Sequence, residues 1–380
     1  MILGGSLIGW PIFLFCQHLE RHFKPLGQHL SVIQCPTFAV NQGFKCPAVN
    51  QTRGDLHGLA IGGKLETVFT HVRHLGGQAG VESERVGGET TYTEHRLAAL
   101  RHGVRRDLSP AKQQRFESAR IEMVYYGHHS NDFLRSSGRS YDPAADMLDR
   151  ETTLDRLKQV PAHEFTRQRY RALPGRSSFK EFLADVGSVV TSPIHLSDSL
   201  IATAAPDMAH YWDEETKFGS DVRYEMINPL KRAMRRDGKI LVISHSLGTM
   251  VAYDTFWKFS HMSEYRHDTV TRPIDTWITL GSPLGDETVK RKLKGASLSG
   301  ARRYPNIVKR WLNFSAEDDF ISHDETIKND YKDMLRKRLV EEIRDEDIYN
   351  LAVRKGSSNP HSSAGYLIHP KLIAAIGDWL

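Results

Sequence analysis

The sequence predicts an α/β fold in which a mostly parallel central sheet is flanked by helices. The first observation is an unbroken apolar run at residues 240–243, which is typical of a strand buried on both faces of a parallel sheet. The second is the helical spacing of apolar residues that follows at once, from Thr249 onward. The third is an apolar-aromatic run at residues 307–314 that leads into an acidic loop. A chain of 380 residues is long enough for one large domain of this class, with or without a small appendage.

The first 65 residues lack the periodicity of strands or helices. Residues 1–65 show neither a sustained period of two nor one of 3.6, and they are rich in His, Gln, Gly and Cys. They are therefore predicted to form a poorly defined extension that is either disordered or not native to the fold, and the main domain is assigned to residues 66–380. The apolar run at residues 2–16 is shorter than the roughly 20 residues of a spanning helix. Membrane association or export through this run is therefore the alternative and not the expectation.

Composition and cysteine usage narrow the class of protein. The chain is 39% hydrophobic and 26% charged, which is typical of a globular protein with a sizeable core. Cys16, Cys35 and Cys46 match neither a disulfide framework nor a zinc-binding spacing, so a reducing compartment, the cytoplasm, is expected. The net charge of +5 is spread out, and the basic clusters at residues 231–239 and 302–310 have no aromatic stacking platform. No nucleic-acid partner is therefore expected, and the oligomeric state stays open.

Further elements follow along the main domain. Residues 121–126 are predicted to form a strand, and the alternating charges of residues 141–160 predict an exposed helix. Residues 177–212 are apolar but broken by Gly and Pro, which makes them the candidate for a helical lid or, equally, for plain packing helices. A strongly charged pattern predicts another solvated helix at residues 324–349. An amphipathic pattern predicts a final helix at residues 371–380.

The sharpest chemical signal is the turn "SHSLG" at residues 244–248. A tight turn from strand to helix would place Ser246 at its apex, where its hydroxyl stands clear of the backbone. The residues two before and two after the apex pass close together, and here they are the small Ser244 and Gly248. The following helix directs its first N–H groups at the same place, so the Leu247 N–H is expected to help hold an oxyanion. The alternative is an ordinary buried strand and turn that contains serines.

A nucleophilic serine needs a base and an acid, and two later segments offer them. The acidic loop at residues 317–319 directly follows a predicted strand, and Asp319 is preferred to Asp318 as the group that would orient an imidazole. His361 lies in a loop rich in Gly, Ser and Asn, whereas His369 directly precedes a proline and is predicted to mark the start of the final helix. A solvated acidic turn and a surface histidine are the plainer interpretations. The other candidate bases are His261, His267 and His323.

Four segments, taken in order, resemble the α/β-hydrolase family and within it the serine esterases and lipases. They are "SHSLGTMVAYD", "WITLGSPLG", "RWLNFSAEDDFI" and "PHSSAGYL", and the resemblance extends over residues 120–380. It implies that the second segment is the strand after the nucleophile's helix. It also implies Ser246 as nucleophile, Asp319 as orienting acid and His361 as general base, with the Leu247 N–H in the oxyanion hole. The implied reaction is hydrolysis of a small-molecule or lipid carboxylic ester through an acyl-enzyme, with no cofactor.

The resemblance leaves two points open. Such enzymes usually open with a strand and a His-Gly loop that supplies a second oxyanion donor, and the sequence offers imperfect candidates at residues 57–58 and 74–77. Residues 92–108 would be the helix between that loop and the strand at residues 121–126. The same triad also serves acyltransferases, and a defective early loop would leave a catalytically silent scaffold that binds a partner. Both remain alternatives to the esterase.

The adjacent histidines His128 and His129 raise the question of a metal site. Adjacent residues on a strand or loop point apart, and the sequence places no third ligand near them. No metal site is therefore predicted.

Overall fold

The computed structural model describes residues 81–136, 143–175, 206–266, 272–322 and 326–380. Several of the expectations above lie outside these ranges. They include the extension at residues 1–65, the His-Gly candidates at residues 57–58 and 74–77, the first part of the lid segment, residues 177–205, and the candidate bases His267 and His323. Within the described ranges, no helix combines the length and the apolar composition needed to cross a membrane.

The described part of the chain contains helices and one main sheet. Its α-helices are α1 (Val81–Asp107), α2 (Pro110–Ser118), α3 (Gly127–Ser136), α4 (Pro143–Lys158), α5 (Arg167–Arg171), α6 (Pro206–Tyr211), α7 (Phe218–Met234), α8 (Leu247–His261), α9 (Ser263–Arg266), α10 (Glu287–Lys292), α11 (Lys332–Arg336), α12 (Ser363–Leu367) and α13 (Pro370–Trp379). The helices predicted at residues 92–108, 141–160 and 371–380 are confirmed as part of α1, as α4 and as α13.

Parallel strands form the main sheet. They are β1 (Leu241–His245), β2 (Ile274–Leu280), β3 (Val308–Ala316) and β4 (Glu342–Ile348), in the order β1-β2-β3-β4. The first three correspond to the strands predicted around residues 240–243, 277–285 and 307–314. A separate two-residue ribbon pairs β5 (Val353–Arg354) with β6 (Ser357–Ser358) in antiparallel fashion. The predicted α/β class, with a mostly parallel sheet flanked by helices, is confirmed.

Strand β4 contradicts the helix predicted at residues 324–349. In the described part of that segment, α11 covers five residues and β4 covers seven. Ile343 of β4 is buried, while Glu342 pairs with Arg310 of β3 at 2.8 Å. Charged side chains suit the edge of a sheet, and β4 is the last strand in the order. Because so many residues of β4, the last strand of the described sheet, are charged, its sequence resembles that of a solvated helix.

Residues 121–126 are buried but do not form the strand predicted there. One residue, Val124, makes an isolated bridge. The apolar members of the segment nevertheless alternate between two hydrophobic clusters. Val124 and Tyr126 pack in one, and Ile121, Met123 and Tyr125 pack in the other. The period of two is therefore real, while the backbone pairing that defines a strand is limited to a single residue.

The two hydrophobic clusters cover the two faces of the sheet. Within β1, Val242 belongs to the first cluster, whereas Leu241 and Ile243 belong to the second, as the alternation of side chains along a strand requires. Helices α7 and α8 supply the first cluster, and helices α1, α12 and α13 supply the second. The sheet is thus the middle layer between two layers of helices.

A row of polar side chains crosses the sheet in register. Ser244, Thr279, Asn313 and Asp345 are directly paired neighbours on the four strands. Thr279 Oγ1 donates to Asn313 Oδ1 at 2.8 Å, and Asn313 Nδ2 donates to Asp345 Oδ1 at 3.2 Å. The indole N–H of Trp277 donates to Ser244 Oγ at 2.8 Å. The Ser244 hydroxyl therefore satisfies a buried indole N–H.

His369 caps the last helix, as predicted from the sequence. Its Nδ1 accepts a hydrogen bond from the Lys371 N–H at 3.2 Å, and the ring of Phe165 packs edge-on against it. Burial lowers the pKa of His369 to about 3, and the charges of Lys371 and Arg106 act in the same direction. The folded chain therefore holds this imidazole neutral.

We expect a His369→Asn variant to lose less stability in acid than the wild-type protein. The pKa of His369 is about 3 in the folded chain and 6.5 in the unfolded chain. As the pH falls, the unfolded chain therefore binds the proton before the folded chain does. The free energy of unfolding therefore falls as pH drops below about 6.5, and His369 should account for about 3 kcal/mol of the fall between pH 7 and pH 4. Asparagine keeps a capping oxygen without titrating. Urea unfolding at both pH values measures the difference.

The exposed His163 provides the control, since His163→Asn should lose as much stability in acid as the wild type. His369→Asn also loses packing against Phe165, which lowers its free energy of unfolding equally at both pH values. The quantity to compare between variants is therefore the change in the free energy of unfolding from one pH to the other. Equal acid losses in the wild type and in His369→Asn would contradict the prediction.

Candidate active site

The turn between β1 and α8 holds Ser246 in a rare backbone conformation. Its φ of 54° and ψ of −131° lie outside the regions that residues other than glycine usually adopt. Ser246 is 1% exposed, and α8 begins at the next residue, Leu247. The strand, sharp turn and helix predicted around Ser246 are confirmed.

Neighbouring groups hold this strained residue in place. The Ser246 N–H donates to the Leu280 carbonyl at the end of β2, at 3.1 Å. The Ser246 carbonyl accepts from the Thr249 N–H at 2.9 Å and from the Thr249 hydroxyl at 2.7 Å. Ser282 Oγ donates in turn to Thr249 Oγ1 at 3.0 Å. Both backbone groups of the turn residue are bonded, and such surrounding bonds are what lets a strained conformation persist.

Three side chains predicted from separate segments meet at this turn. His361 Nε2 lies 2.9 Å from Ser246 Oγ, and His361 Nδ1 lies 2.9 Å from Asp319 Oδ2 and 3.0 Å from Oδ1. An ionised carboxylate only accepts, so Nδ1 carries the ring proton and donates to Asp319. Nε2 is then unprotonated and accepts the Ser246 O–H. The three side chains form one hydrogen-bonded chain.

Asp319, and not Asp318, faces the imidazole. Asp319 is 2% exposed, and its N–H donates to the Ala316 carbonyl at the end of β3, at 3.0 Å. Asp318 is exposed, with a φ of 64°, and its carboxylate accepts from the Tyr170 hydroxyl at 3.0 Å. The preference for Asp319 over Asp318 agrees with this placement.

The Asp319 carboxylate has donors besides His361. The Tyr366 hydroxyl donates to Oδ2 at 2.6 Å, and the Ile321 N–H donates to Oδ1 at 3.1 Å. Tyr366 also accepts from the Ala316 N–H at 2.9 Å, which ties the acid to the end of β3. Burial alone would raise the pKa of Asp319, but the charge of His361 and the hydrogen bonds outweigh it, so the pKa is lowered. The carboxylate therefore stays ionised.

Buried side chains fix the loop that carries His361, between β6 and α12. Asn350 Nδ2 donates to the carbonyls of Pro360 at 2.7 Å and of Ser362 at 2.9 Å. His245 Nε2 donates to the carbonyl of His361 itself, at 3.0 Å. Carbonyls at three consecutive positions are therefore held, which fixes the imidazole although 23% of the side chain is exposed.

His245 contributes to the site in a neutral form. Its ring lies 4.6 Å from the His361 ring, centroid to centroid. Burial above all, with the charge of His361 adding to it, lowers the pKa of His245 well below its ordinary value. A neutral imidazole that donates from Nε2 supports the His361 loop without placing a positive charge beside the His361 ring.

His245, Asn350 and Tyr366 are supporting residues that were not identified from the sequence. His245 lies within the "SHSLG" turn, yet its partner carbonyl is 116 positions away. Asn350 follows a highly charged segment, where nothing in the composition sets it apart. Tyr366 lies in the "PHSSAGYL" segment, but its partner Asp319 is 47 positions away, so spacing along the chain does not reveal the contact.

Two further groups lie next to the chain of hydrogen bonds. The Leu247 N–H belongs to the first turn of α8, whose N–H groups have no partner within the helix and favour a nearby negative charge. Its part in an oxyanion hole stays a prediction. Gly281, at the end of β2, has a φ of 51°, and a Cβ there would lie 2.8 Å from Asp319 Oδ2 and 3.1 Å from His361 Nδ1. Only a residue without a side chain fits this place.

This arrangement is suited to proton transfer from Ser246 Oγ to His361 Nε2, because the Asp319 carboxylate stabilises the imidazolium that forms. Loss of the proton makes the serine oxygen a strong nucleophile.

Searches against protein-family models, curated proteins and solved structures found no match to this chain.

Proposed function

We propose that the protein is a serine hydrolase that cleaves carboxylic esters through an acyl-enzyme on Ser246. The observation that carries the proposal is the hydrogen-bonded chain from Ser246 through His361 to Asp319. Strained turns cluster at functional sites, and the same three groups act as nucleophile, base and acid in serine hydrolases on unrelated folds.

The order of elements supports an α/β-hydrolase type. Ser246 follows β1, Asp319 follows β3, and His361 follows β4 and precedes the last helix. The chain order of serine, acid and histidine is the one that α/β-hydrolases use. Ligands of open α/β sheets bind beyond the carboxyl ends of the strands, which is where Ser246 and Asp319 lie.

The proposed reaction begins when His361 Nε2 accepts the proton of Ser246 Oγ as that oxygen attacks the acyl carbon. The Leu247 N–H, with a second donor, holds the tetrahedral oxyanion, and Asp319 stabilises the imidazolium. His361 then gives the proton to the leaving alcohol. Water activated by the same imidazole attacks the acyl-enzyme, and release of the acid restores Ser246.

The alternatives differ in what happens to the acyl group. An acyltransferase would pass it to an alcohol or an amine, and a silent scaffold would never form it. The 2.9 Å contact between His361 Nε2 and Ser246 Oγ favours a reactive serine over a silent scaffold. The proposed substrates are small-molecule or lipid esters.

Labelling with a fluorophosphonate tests the proposal. The full chain should gain one covalent adduct on Ser246, which mass spectrometry would find in the tryptic peptide of residues 240–258. Ser246→Ala should abolish the adduct, whereas Ser118→Ala, which changes an exposed serine of α2, should leave it unchanged. A folded wild type that does not react, or an adduct that survives in Ser246→Ala, would refute a reactive serine.

A second experiment separates hydrolysis from acyl transfer. With a p-nitrophenyl ester and added alcohol, a hydrolase releases the free acid, whereas an acyltransferase forms the ester of the added alcohol.

A further inference from the structure

Two histidines and a glutamate outside the triad converge on one point. His128 and His129 lie in the first turn of α3, and Glu225 lies in α7. His128 Nε2 is 3.4 Å from Glu225 Oε1, and His129 Nε2 is 3.3 Å from the same oxygen. One candidate ligand atom from each residue lies within 4.8 Å of the other two.

Both premises for excluding a metal site from the sequence are wrong. The two histidines lie in a helix and not in a strand or loop, and their ring centroids are only 3.9 Å apart. The third side chain comes from another helix, 96 positions beyond His129. A ligand so far along the chain cannot be recognised by spacing.

We propose that His128, His129 and Glu225 bind a divalent transition-metal ion, with zinc the best fit. Two imidazoles and one carboxylate are a ligand set of open zinc sites, in which water fills the fourth position. With metal–ligand bonds of about 2.0 to 2.1 Å and tetrahedral angles, the ligand atoms lie about 3.3 Å apart. The two distances from Glu225 Oε1 to the imidazole nitrogens, 3.3 and 3.4 Å, already have this value.

Charge and exposure also suit such an ion. Two neutral imidazoles and one carboxylate carry a net charge of minus one, which a divalent cation reverses. The three side chains are 18%, 23% and 25% exposed, which leaves a path for an ion and its water. Nitrogen ligands favour zinc and its transition-metal neighbours over magnesium and calcium, which prefer oxygen.

A bound ion would link two helices that belong to the same layer. Phe133 of α3 packs against the cluster to which α7 contributes, and α7 leads into β1. The ion would therefore stabilise the packing of α3 on α7, and zinc is expected to raise the melting temperature of the protein.

Zinc binding by the full chain tests the site. Protein freed of metal by a chelator is dialysed against Zn²⁺, and the metal content per chain is measured by mass spectrometry. The wild type should hold one zinc ion more than His129→Ala or Glu225→Gln. Affinity at the site should fall at least about 100-fold in either variant, because loss of even an outer-shell partner costs about 10- to 100-fold. Zinc should raise the melting temperature of the wild type and not of these variants.

His163→Ala, which removes an exposed histidine of the turn Ala162–Glu164, is the control and should keep the additional zinc. Any zinc held by Cys16, Cys35 and Cys46 is the same in every variant and cancels in the comparison. Glu225→Gln is nearly isosteric, and circular dichroism without zinc establishes that it is folded. Equal zinc content in the wild type, His129→Ala and Glu225→Gln would overturn the proposal.

Discussion

Replacing Ser246 or His361 with alanine is expected to lower kcat for a short p-nitrophenyl ester by about 10⁴-fold or more, and the double variant should be little worse than either. The reason is that Ser246 Oγ and His361 Nε2, 2.9 Å apart, are the two ends of the proposed proton transfer. Losing either partner removes the same step. Steady-state kinetics of the two single variants and the double variant measure this. Losses that multiply in the double variant would mean that the two residues act independently.

Asp318 offers a matched control for Asp319 within the same loop. Asp319→Asn should lower kcat by about 10³- to 10⁴-fold, because an amide no longer fixes the imidazole tautomer or stabilises the imidazolium. Asp318→Asn should keep near-wild-type kcat, since Asp318 is exposed and asparagine tolerates its φ of 64°. The opposite result, with Asp318→Asn inactive and Asp319→Asn active, would make Asp318 the acid.

Gly281→Ala should lower kcat at least about 100-fold while the protein stays folded. The added methyl group would lie 2.8 Å from Asp319 Oδ2 and 3.1 Å from His361 Nδ1, so the acid and the base must separate or turn. A displacement of about 1 Å in a catalytic group costs on the order of 100-fold. Kinetics measured beside a thermal melt separate the loss of geometry from the loss of fold.

Gly300→Ala is the control for backbone strain. Gly300 has a φ of 66°, and a Cβ there would meet nothing within 4 Å. Alanine at either position costs about 1 to 2 kcal/mol of strain in the left-handed region, and Gly281→Ala should lose additional stability because its methyl group also overlaps the buried Asp319 carboxylate. Only Gly281→Ala should lose activity. If both variants lose kcat equally, the effect comes from instability and not from contact with the site.

Local signals explain what could be predicted about the site. Ten consecutive residues are enough to predict the turn at Ser246, because the apolar strand, the small flanking residues and the start of the helix follow one another directly. Asp319 follows its strand just as closely. His361 was distinguished from His369 by the proline that marks a helix start. Each of these inferences needed only neighbours along the chain, and the structure brings the three side chains together.

Features that depend on distant partners could not be predicted. Strand β4 carries the charges of a solvated helix, and only its pairing with β3 makes it a strand. Asn350 donates hydrogen bonds to the carbonyls on either side of His361, and the spacing of these residues along the chain does not predict the contacts. The convergence of Glu225 on His128 and His129 exists only after α3 and α7 have packed together. In each case the deciding contact forms between elements, and the residues involved have no local signature.

Two contacts in this structure can report separately on folding. One is the stacking of Trp277 on Trp311, and the other is the hydrogen bond between His361 and Ser246. Trp277 and Trp311, two of the six tryptophans of the chain, stack with ring centroids 4.4 Å apart inside the sheet, so their contribution to the indole fluorescence should follow the pairing of β2 with β3. His361 reaches Ser246 across 115 positions, and contacts between distant positions close late because the intervening chain must first be ordered. The proposed reactivity of Ser246 therefore depends on the docking of the carboxyl-terminal segment. During refolding, we expect labelling of Ser246 to appear later than the pairing of β2 with β3.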